Sequence, residues 1–316
     1  METSRGLSIQ DIGDDRYDPE MTPSTGPRFH LYLPQMRMSH DAIVGRARAA
    51  EAAGFEGIAF MDHLAPPLAF EHDMWEAMEI AGWVLARTST LVVGHLVLCD
   101  AFRHPAVLAR QVVSLDHCSN GRFELGIGWG SVPEEFTTFS VGDIDPPARV
   151  ARLEESLEIM LRLWSGESFD FAGEHFTLAG ARQRPTPLGH IPITIGGTGR
   201  RTLGLVKQYA DWWNVPIYGL DRIDELRPAA GEAKVSVQVT AALLTDESQR
   251  DDVLALAQRR FGRTAMTDHL VIGTTEQMAA EFAELAARGI ERFYVWFTDF
   301  APVETLDRFA EVIRAS

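Results

Sequence analysis

The chain has 316 residues, of which 46% are hydrophobic and 23% are charged, a composition that supports a sizeable core and excludes wholesale disorder. Its length suits either two average domains or one large α/β barrel of about 250 residues. The formal net charge of -16 opposes non-specific attraction to nucleic acid or anionic lipid, so we expect neither nucleic acid nor a membrane as a partner.

The N-terminal stretch and the cysteines indicate a cytoplasmic protein. Residues 1–27 are polar and lack an apolar period, so we expect a flexible tail before the fold. They also lack the apolar core of a signal peptide, and no apolar run approaches the roughly 20 residues that span a bilayer. Cys99 and Cys118 form no Cys-x-x-Cys motif, so we expect reduced thiols without a disulfide or a cysteine zinc site.

Strands and helices alternate from residue 28 onwards. The first strand lies in RFHLYLP, and an Ala-rich helix follows, with Ser39 as its N-cap and Gly54 just past its last turn. The next strand, EGIAFMD, completes a βαβ unit. The order then repeats as helix MWEAMEIAGWVLART, strand LVVGHLVLC, helix PAVLARQVVSLDHCSNG and strand RFELGIG.

The second half of the chain continues this order. RVARLEESLEIMLRLWSG carries its apolar residues on one stripe and predicts an amphipathic helix, which strand IPITIGG and helix RRTLGLVKQYA follow. Strands DWWNVPI and KVSVQVTAALL precede less regular helical material from Glu247 to Gly262. Helix TTEQMAAEFAELAARG, with a capping box from Thr274 to Gln277, strand ERFYVWF and helix VETLDRFAEVIRA complete the chain.

These elements predict one barrel. Eight apolar strands with little alternation indicate strands covered on both faces, and the regular β–α order indicates a parallel sheet. We therefore predict an α/β fold, a (β/α)8 TIM barrel, with residues 28–316 forming a single domain. The irregular connections from about Trp129 to Pro147 and from Ser168 to His190 are expected as insertions over the C-terminal face.

An Asp-His pair ends the second strand, where the chemistry of a parallel barrel collects. Histidine titrates near neutrality and a carboxylate can hold its ring or the polar edge of a ligand, so Asp62 and His63 suit acid/base work. The alternative for such a pair is a helix cap beside a solvated histidine. No His-x-His or His-Glu-x-x-His spacing occurs, so we expect no metal site.

Three further strand ends carry candidate binding residues. Cys99 follows the third strand, and Trp129, placed between Gly128 and Gly130 after the fourth, is a candidate aromatic wall for a planar ligand. The fifth strand runs into a glycine-rich turn at a helix start, where the backbone approaches a ligand closely and free N–H groups suit a phosphate. That turn is Gly196, Gly197, Thr198 and Gly199. A plain turn without a ligand is the alternative.

Several segments together resemble one family. AEAAGFEGIAFMDHL, GHLVLCDAFRHPAVLARQVVSLDHCSNGRFELGIGWG, RVARLEESLEIMLRLWSGESFDFAGEHFTL and ITIGGTGRRTLGLVKQYADWWN are similar to the bacterial-luciferase-like superfamily of flavin and deazaflavin oxidoreductases. The resemblance is closest to the actinobacterial-type, coenzyme F420-dependent branch and runs from about Arg28 to the C-terminus. It implies a luciferase-like eight-stranded barrel with insertions, in agreement with the strand count.

The resemblance also implies residue roles. Asp62 and His63 match an acidic-His pair beside the isoalloxazine or deazaflavin ring, with His63 as the catalytic acid or base. Leu96-Val97 matches the place where members often carry a non-prolyl cis peptide against the ring. Gly196 to Gly199 matches the phosphate-binding turn.

Two positions depart from the family's pattern. Cys99 stands where relatives often have Thr or Asn, which weakens or replaces a polar contact to the cofactor. Ser131 stands where the sugar-phosphate dehydrogenases of the family carry a catalytic glutamate, so glucose 6-phosphate is not the expected substrate.

The resemblance therefore implies an F420-dependent oxidoreductase that moves a hydride between the deazaflavin and a small organic substrate. The alternative is an FMN-dependent monooxygenase that uses O2 and reduced flavin from a separate flavin reductase. A non-catalytic cofactor carrier is a third reading, disfavoured because the acid/base pair is present. Family members often form dimers, so a homodimer is expected. Candidates for contact with the longer anionic tail of F420 are Arg182, Arg184, Arg200 and Arg201; the alternative is that they are solvated, as arginines on loops usually are.

Overall fold

The computed structural model describes residues 26–67, 69–142, 145–262 and 264–316, so the predicted tail at residues 1–27 lies outside the described residues apart from its last two. The strands are β1 (Arg28–Tyr32), β2 (Gly57–Phe60), β3 (Val92–His95), β4 (Leu98–Cys99), β5 (Leu125–Gly128), β6 (Phe169–Ala172), β7 (Thr177–Ala181), β8 (Ile193–Gly196), β9 (Trp212–Val215), β10 (Lys234–Leu243), β11 (Val271–Gly273) and β12 (Arg292–Phe297). The helices are α1 (His40–Ala53), α2 (Ala77–Leu85), α3 (Pro105–Ser119), α4 (Pro133–Thr138), α5 (Pro146–Trp164), α6 (Arg200–Tyr209), α7 (Ile223–Ala230), α8 (Arg250–Phe261), α9 (Ala265–Asp268), α10 (Thr275–Ala287) and α11 (Val303–Ala315).

The main sheet is parallel and closes on itself. Its strand order is β3-β2-β1-β12-β10-β9-β8-β5-β4, with β11 added beside β10. Strands β3 and β4 together occupy one strand position of the barrel, since β3 pairs with β2 and β4 pairs with β5. Val93 completes the closure, because its N–H donates to Arg122 O at 2.9 Å and its carbonyl accepts from Glu124 N at 3.0 Å. The predicted (β/α)8 barrel is confirmed in the described residues.

The helix boundaries follow from the capping signals read in the sequence. Ser39 accepts a hydrogen bond from Ala42 N at 3.2 Å at the start of α1, and Gly54 ends the helix with a φ of 94°, where a side chain would be strained. Thr274 and Gln277 form the predicted capping box of α10. These caps set where α1 and α10 begin and where α1 ends.

The core lies between the barrel and its helices, and it includes a group of packed aromatic rings. Phe29 and Phe293 of neighbouring strands pack against Phe282 of α10 and Phe309 of α11, with ring centroids 5.0–5.8 Å apart. At the opposite end from the candidate site, Arg292 and Glu124 form a buried ion pair with N–O distances of 2.8 and 3.0 Å.

The two irregular connections behave differently. The first contains α4, which the sequence analysis missed, and it lies at the barrel mouth. The second forms the antiparallel hairpin β6–β7, whose turn is held against α5 by Glu155, since that carboxylate accepts from Glu174 N, His175 N and Phe176 N at 2.7–3.0 Å. The hairpin therefore packs on the outside of α5, and its described residues do not line the mouth cavity, unlike the expectation for 168–190.

Three further elements were not predicted, namely α7, α9 and the short strand β11 that pairs with the end of β10. Within the described ranges, no helix combines the length and the apolar character needed to cross a membrane.

Candidate active site

A cavity of about 200 Å³ opens at the carboxyl ends of the barrel strands. Every predicted site residue lines it except Thr198 and Gly199, which follow directly in the same turn; the lining members are Asp62, His63, Leu96, Val97, Cys99, Gly128, Trp129, Gly130, Gly196 and Gly197. The structure adds the residues Leu98, Ser131, Glu135, Asn214, Pro216, Tyr218 and Gln238. Strand ends that are far apart in the chain thus meet around one space, as expected for a parallel barrel.

His63 is held by a carboxylate that the sequence analysis did not single out. Its Nδ1 lies 2.9 Å from Oε2 of Glu135, and the other carboxylate oxygen accepts from Leu64 N at 2.6 Å. Glu135 is buried, with 3% of its surface exposed, whereas the His63 side chain retains 17%. In the sequence Glu135 stands beside the exposed Glu134 in a stretch without a motif, so only the tertiary contact distinguishes the two.

Asp62 accepts hydrogen bonds from an arginine and from the end of β4. Arg103 forms two hydrogen bonds to its carboxylate, at 2.6 and 3.0 Å, and Cys99 N donates to the same group at 2.8 Å. Burial alone would lower the pKa of Arg103, but the hydrogen bond and charge of Asp62, with the charge of Glu76, raise it above the usual value. Asp62 therefore anchors the strand end beside His63, and Arg103 is a second site residue that the sequence analysis missed.

The predicted non-prolyl cis peptide is present between Leu96 and Val97. It lies between β3 and β4 and faces the cavity. The neighbouring strand accommodates it through glycine: a Cβ on Gly128 would lie 2.8 Å from Val97 Cγ2, and one on Gly126 would overlap the carbonyl of His95. The Gly-x-Gly spacing of β5 is thus a packing requirement of this bend.

Cys99 presents a neutral thiol to the site. Burial raises the pKa of this thiol to about 12, and the nearby carboxylates Asp62, Asp100 and Glu135 act in the same direction. The sulfur therefore stays protonated at neutral pH and behaves as a small, weakly polar wall.

Trp129 is oriented by the first turn of α6. Its Nε1 donates to Thr202 Oγ1 at 3.3 Å, and the guanidinium of Arg149 lies 4.9 Å from its ring centroid. The indole is half-buried and lines the cavity, where the sequence analysis placed it.

The glycine-rich turn leaves the start of α6 open. Gly199 is the N-cap and contributes no side chain, so the first N–H groups of α6 lack a side-chain acceptor among the described residues. The turn itself is braced, since Gly197 N donates to Asn214 O at 3.1 Å and Trp213 Nε1 donates to Gly197 O at 2.8 Å. Free N–H groups and the helix dipole make this a suitable place for a phosphate.

The arginines suggested for an anionic tail are divided. Arg200 and Arg201 are exposed at the start of α6, next to the turn. Arg182 instead donates to Gly166 O at 3.0 Å, just past the end of α5, and Arg184 lies beside the same glycine. This second pair belongs to the outer hairpin region and not to the cavity.

The electrostatics of the lining are neutral to acidic. Its described members include the carboxylates Asp62 and Glu135, and none of them is a lysine or an arginine. The arrangement places a histidine, a cis peptide, an indole and part of the glycine turn that begins α6 around one space.

Comparison with known proteins identifies the same family. The family model described as luciferase-like monooxygenase matches residues 21–249. The chain is 36% identical over 162 residues to the F420-dependent glucose-6-phosphate dehydrogenase of Mycolicibacterium fortuitum, with 50% of this chain and 47% of that protein covered. It is 32% identical over 204 residues to the F420-dependent hydroxymycolic acid dehydrogenase of Mycobacterium tuberculosis, with 63% and 55% covered.

The chain thus spans about half the length of the curated relatives it matches. Among solved structures, an F420-dependent secondary alcohol dehydrogenase in complex with an F420-acetone adduct superposes with a TM-score of 0.75 at 20% identity, covering 92% of this chain and 99% of that chain. At that identity the likeness concerns the fold.

Proposed function

Because the chain belongs to the luciferase-like monooxygenase family, we propose that it is a coenzyme F420-dependent oxidoreductase acting on a small organic substrate. The observation that carries the proposal is that His63, the cis peptide and the open start of α6 surround one cavity. The two curated relatives named above, both F420-dependent, support this choice of cofactor.

The residues present fit such a cofactor. The N–H groups of the turn from Gly196 to Gly199 and of the first turn of α6 suit its phosphate, with Arg200 and Arg201 nearby for further negative charge. Leu96-Val97 and Trp129 offer surfaces for a planar ring, and Cys99 adds a neutral wall. When bound, F420 supplies a centre that accepts or gives up a hydride.

In this proposal His63 handles the proton that accompanies the hydride. Its ring lines the cavity, and Nδ1 is occupied by Glu135, so Nε2 is the nitrogen available to a substrate oxygen. Leu96, Val97 and Pro216 line the same cavity and add apolar surface to it.

The substrate is proposed to be uncharged. A sugar phosphate brings about two negative charges, and no described lysine or arginine lines the cavity to pair with them. Ser131 also stands where the sugar-phosphate dehydrogenases of the family carry a glutamate. We therefore do not expect glucose 6-phosphate to be the substrate, although one relative is named as a glucose-6-phosphate dehydrogenase.

An FMN-dependent monooxygenase is the second candidate, because the matching family model is described as a monooxygenase and the phosphate turn suits FMN equally. It would need O2 and a flavin reductase as a partner. A non-catalytic carrier is disfavoured by the buried support that His63 receives from Glu135. A cytoplasmic homodimer completes the proposal, and light scattering of the purified chain tests the dimer.

The first experiment is a parallel titration of the purified apoprotein with F420 and with FMN, followed by quenching of each cofactor's fluorescence. Micromolar or tighter binding of F420 alone supports the proposal and directs a search among alcohols and carbonyl compounds. Preferential binding of FMN favours the monooxygenase and calls for an oxygen-consumption screen. Binding of neither cofactor contradicts the assignment of the phosphate turn.

The second experiment replaces His63 with alanine. Loss of a positioned proton-transfer group should lower kcat by about 100- to 10,000-fold, while the dissociation constant of F420 changes little. His72, exposed on the loop after β2, is the matched control, and His72→Ala should keep wild-type turnover. Unchanged turnover of His63→Ala would remove His63 from the mechanism.

A further inference from the structure

We propose that Glu135 is a positioning residue that fixes the proton of His63 on Nδ1 and so reserves Nε2 for the substrate. The inference rests on the proposed function for its catalytic consequence, but its structural part concerns the apoprotein alone. A carboxylate only accepts hydrogen bonds, so at 2.9 Å the His63 nitrogen facing Glu135 must carry the hydrogen. The neutral ring then has its lone pair at Nε2.

The carboxylate is itself held on several sides. Its second oxygen accepts from Leu64 N at 2.6 Å, so one side chain fixes both the ring of His63 and the backbone that follows it. The next residue of α4, Phe136, is buried and lies 4.2 Å from the guanidinium of Arg149. Because Glu135 is buried on a packed helix, the ring cannot turn without losing a charge-assisted hydrogen bond.

The neighbouring carboxylate is not available for this task. Asp62 lies next to His63 in the chain, but its oxygens accept hydrogen bonds from the Arg103 guanidinium and from Cys99 N. The site therefore contains two acidic groups with separate roles. Asp62 anchors the strand end, and Glu135 orients the proton-transfer ring.

The chemical step has a simple balance. In the oxidative direction, Nε2 of His63 would take the hydroxyl proton of an alcohol, and bound F420 would supply the acceptor for the hydride that leaves the alcohol carbon. The electron pair of the O–H bond becomes the second bond of the carbonyl. The imidazolium that forms is stabilised by Glu135, which does not itself accept the proton. In the reductive direction, Nε2 returns this proton to the carbonyl oxygen as the hydride arrives.

Glu135→Gln is the decisive variant because it is nearly the same size and reverses the hydrogen bond. With its amide oxygen still accepting from Leu64 N, the amide NH2 points at His63 Nδ1 and requires a lone pair there. The neutral ring should then carry its hydrogen on Nε2. Both hydrogen bonds remain satisfied, so the variant should fold, whereas the nitrogen reserved for the substrate loses its lone pair.

The readout independent of the cofactor is ¹⁵N NMR of histidine-labelled apoprotein, with the His63 ring assigned by its absence in His63→Ala. Wild-type protein should have a protonated Nδ1, and Glu135→Gln should have a protonated Nε2. Glu134→Gln, a neighbouring exposed position on the same helix, should retain the wild-type tautomer. A wild-type ring protonated on Nε2, or an unchanged tautomer in folded Glu135→Gln, overturns the inference.

The kinetic readout completes the test. Glu135→Gln should lower kcat by about 100-fold or more with little change in KM, and in a His63→Ala background it should cause no further loss. Equal turnover in Glu135→Gln and wild-type protein contradicts the positioning role.

If the tautomer reverses in the apoprotein but F420 does not bind, the cofactor assignment fails while the structural role of Glu135 stands. If Glu135→Gln does not fold, Glu135→Asp provides the test: partial activity with protonated Nδ1 supports the role, and full activity with protonated Nε2 contradicts it.

Discussion

Gly130 connects the packing of the mouth to the proposed catalytic group, so Gly130→Ala is expected to damage both. The residue has a φ of 87°, and an added Cβ would lie 2.6 Å from Phe136 Cζ and 2.9 Å from Cys99 Sγ. Phe136 is the neighbour of Glu135 in α4. A shift of this ring therefore moves the carboxylate that holds His63.

The magnitude follows from two contributions. A side chain in the left-handed region costs about 1–2 kcal/mol, partly offset by a gain of about 0.4–1 kcal/mol from the less flexible unfolded chain. Overpacking against Phe136 and Cys99 adds about 1–3 kcal/mol. Gly180 is the matched control, because its φ of 57° is also positive and nothing lies within 4 Å of its added Cβ.

The assay is denaturant unfolding of the wild-type protein and both alanine variants. Gly130→Ala should be less stable than Gly180→Ala by about 1–3 kcal/mol, since only the contact contribution differs between them. Turnover with F420 should fall in Gly130→Ala and not in Gly180→Ala. Equal free energies of unfolding for the two variants would refute the reasoning that the close contact at Gly130 matters.

Two other expectations concern charge and pH. Arg103→Ala should lower the free energy of unfolding by about 3–5 kcal/mol, because it leaves the buried Asp62 carboxylate without its ion-pair partner. The control is Arg162→Ala, which breaks the exposed pair with Glu158 and should lower the free energy of unfolding far less. Similar losses in the two variants would contradict the anchoring role of Asp62. Burial, together with the charges of Arg292 and Arg28, lowers the pKa of His30. On acidification, His30 is therefore protonated in the unfolded chain before it is protonated in the folded protein. Its contribution to stability is intact above the pKa of the unfolded chain, about 6.5. Below that pH the free energy of unfolding declines by up to about 1.4 kcal/mol per pH unit until the pKa of the folded protein is reached. Unfolding measured between about pH 7 and 6 should show a shallower decline in His30→Gln than in wild-type protein, and equal slopes would contradict this assignment.

The proposed site differs from an isolated Asp-His motif in its supports. His63 and Asp62 are neighbours in the chain, but each has its own partner, Glu135 and Arg103 respectively. A proton-transfer ring and a strand anchor are thereby kept separate within two adjacent residues. This separation is the reason that substitutions of Glu135 and Arg103 should have different signatures, one in turnover and the other in stability.

Features that arise from interactions between neighbouring residues could be predicted from the sequence. Two such features are apolar runs of strand length and helix caps, for example Ser39 and the Thr274–Gln277 capping box. They predicted the eight strands of the barrel and most of its helices. The glycine turn after β8 was readable for the same reason. The cis peptide and the role of His63 came from the family resemblance; the structure contains the former, and the latter stays a prediction.

The tertiary structure alone decided which side chains support the site. Glu135 lies 72 residues from His63, and Arg103 lies 41 residues from Asp62. Neither pair has a periodic or local signal, since their contacts depend on how the connections fold over the barrel mouth. The hairpin β6–β7 likewise packs on α5 and leaves the mouth to α4, because Glu155 binds three of its backbone N–H groups. Local sequence sets where strands end, but only closure of the barrel brings those ends, and their distant partners, within hydrogen-bonding distance.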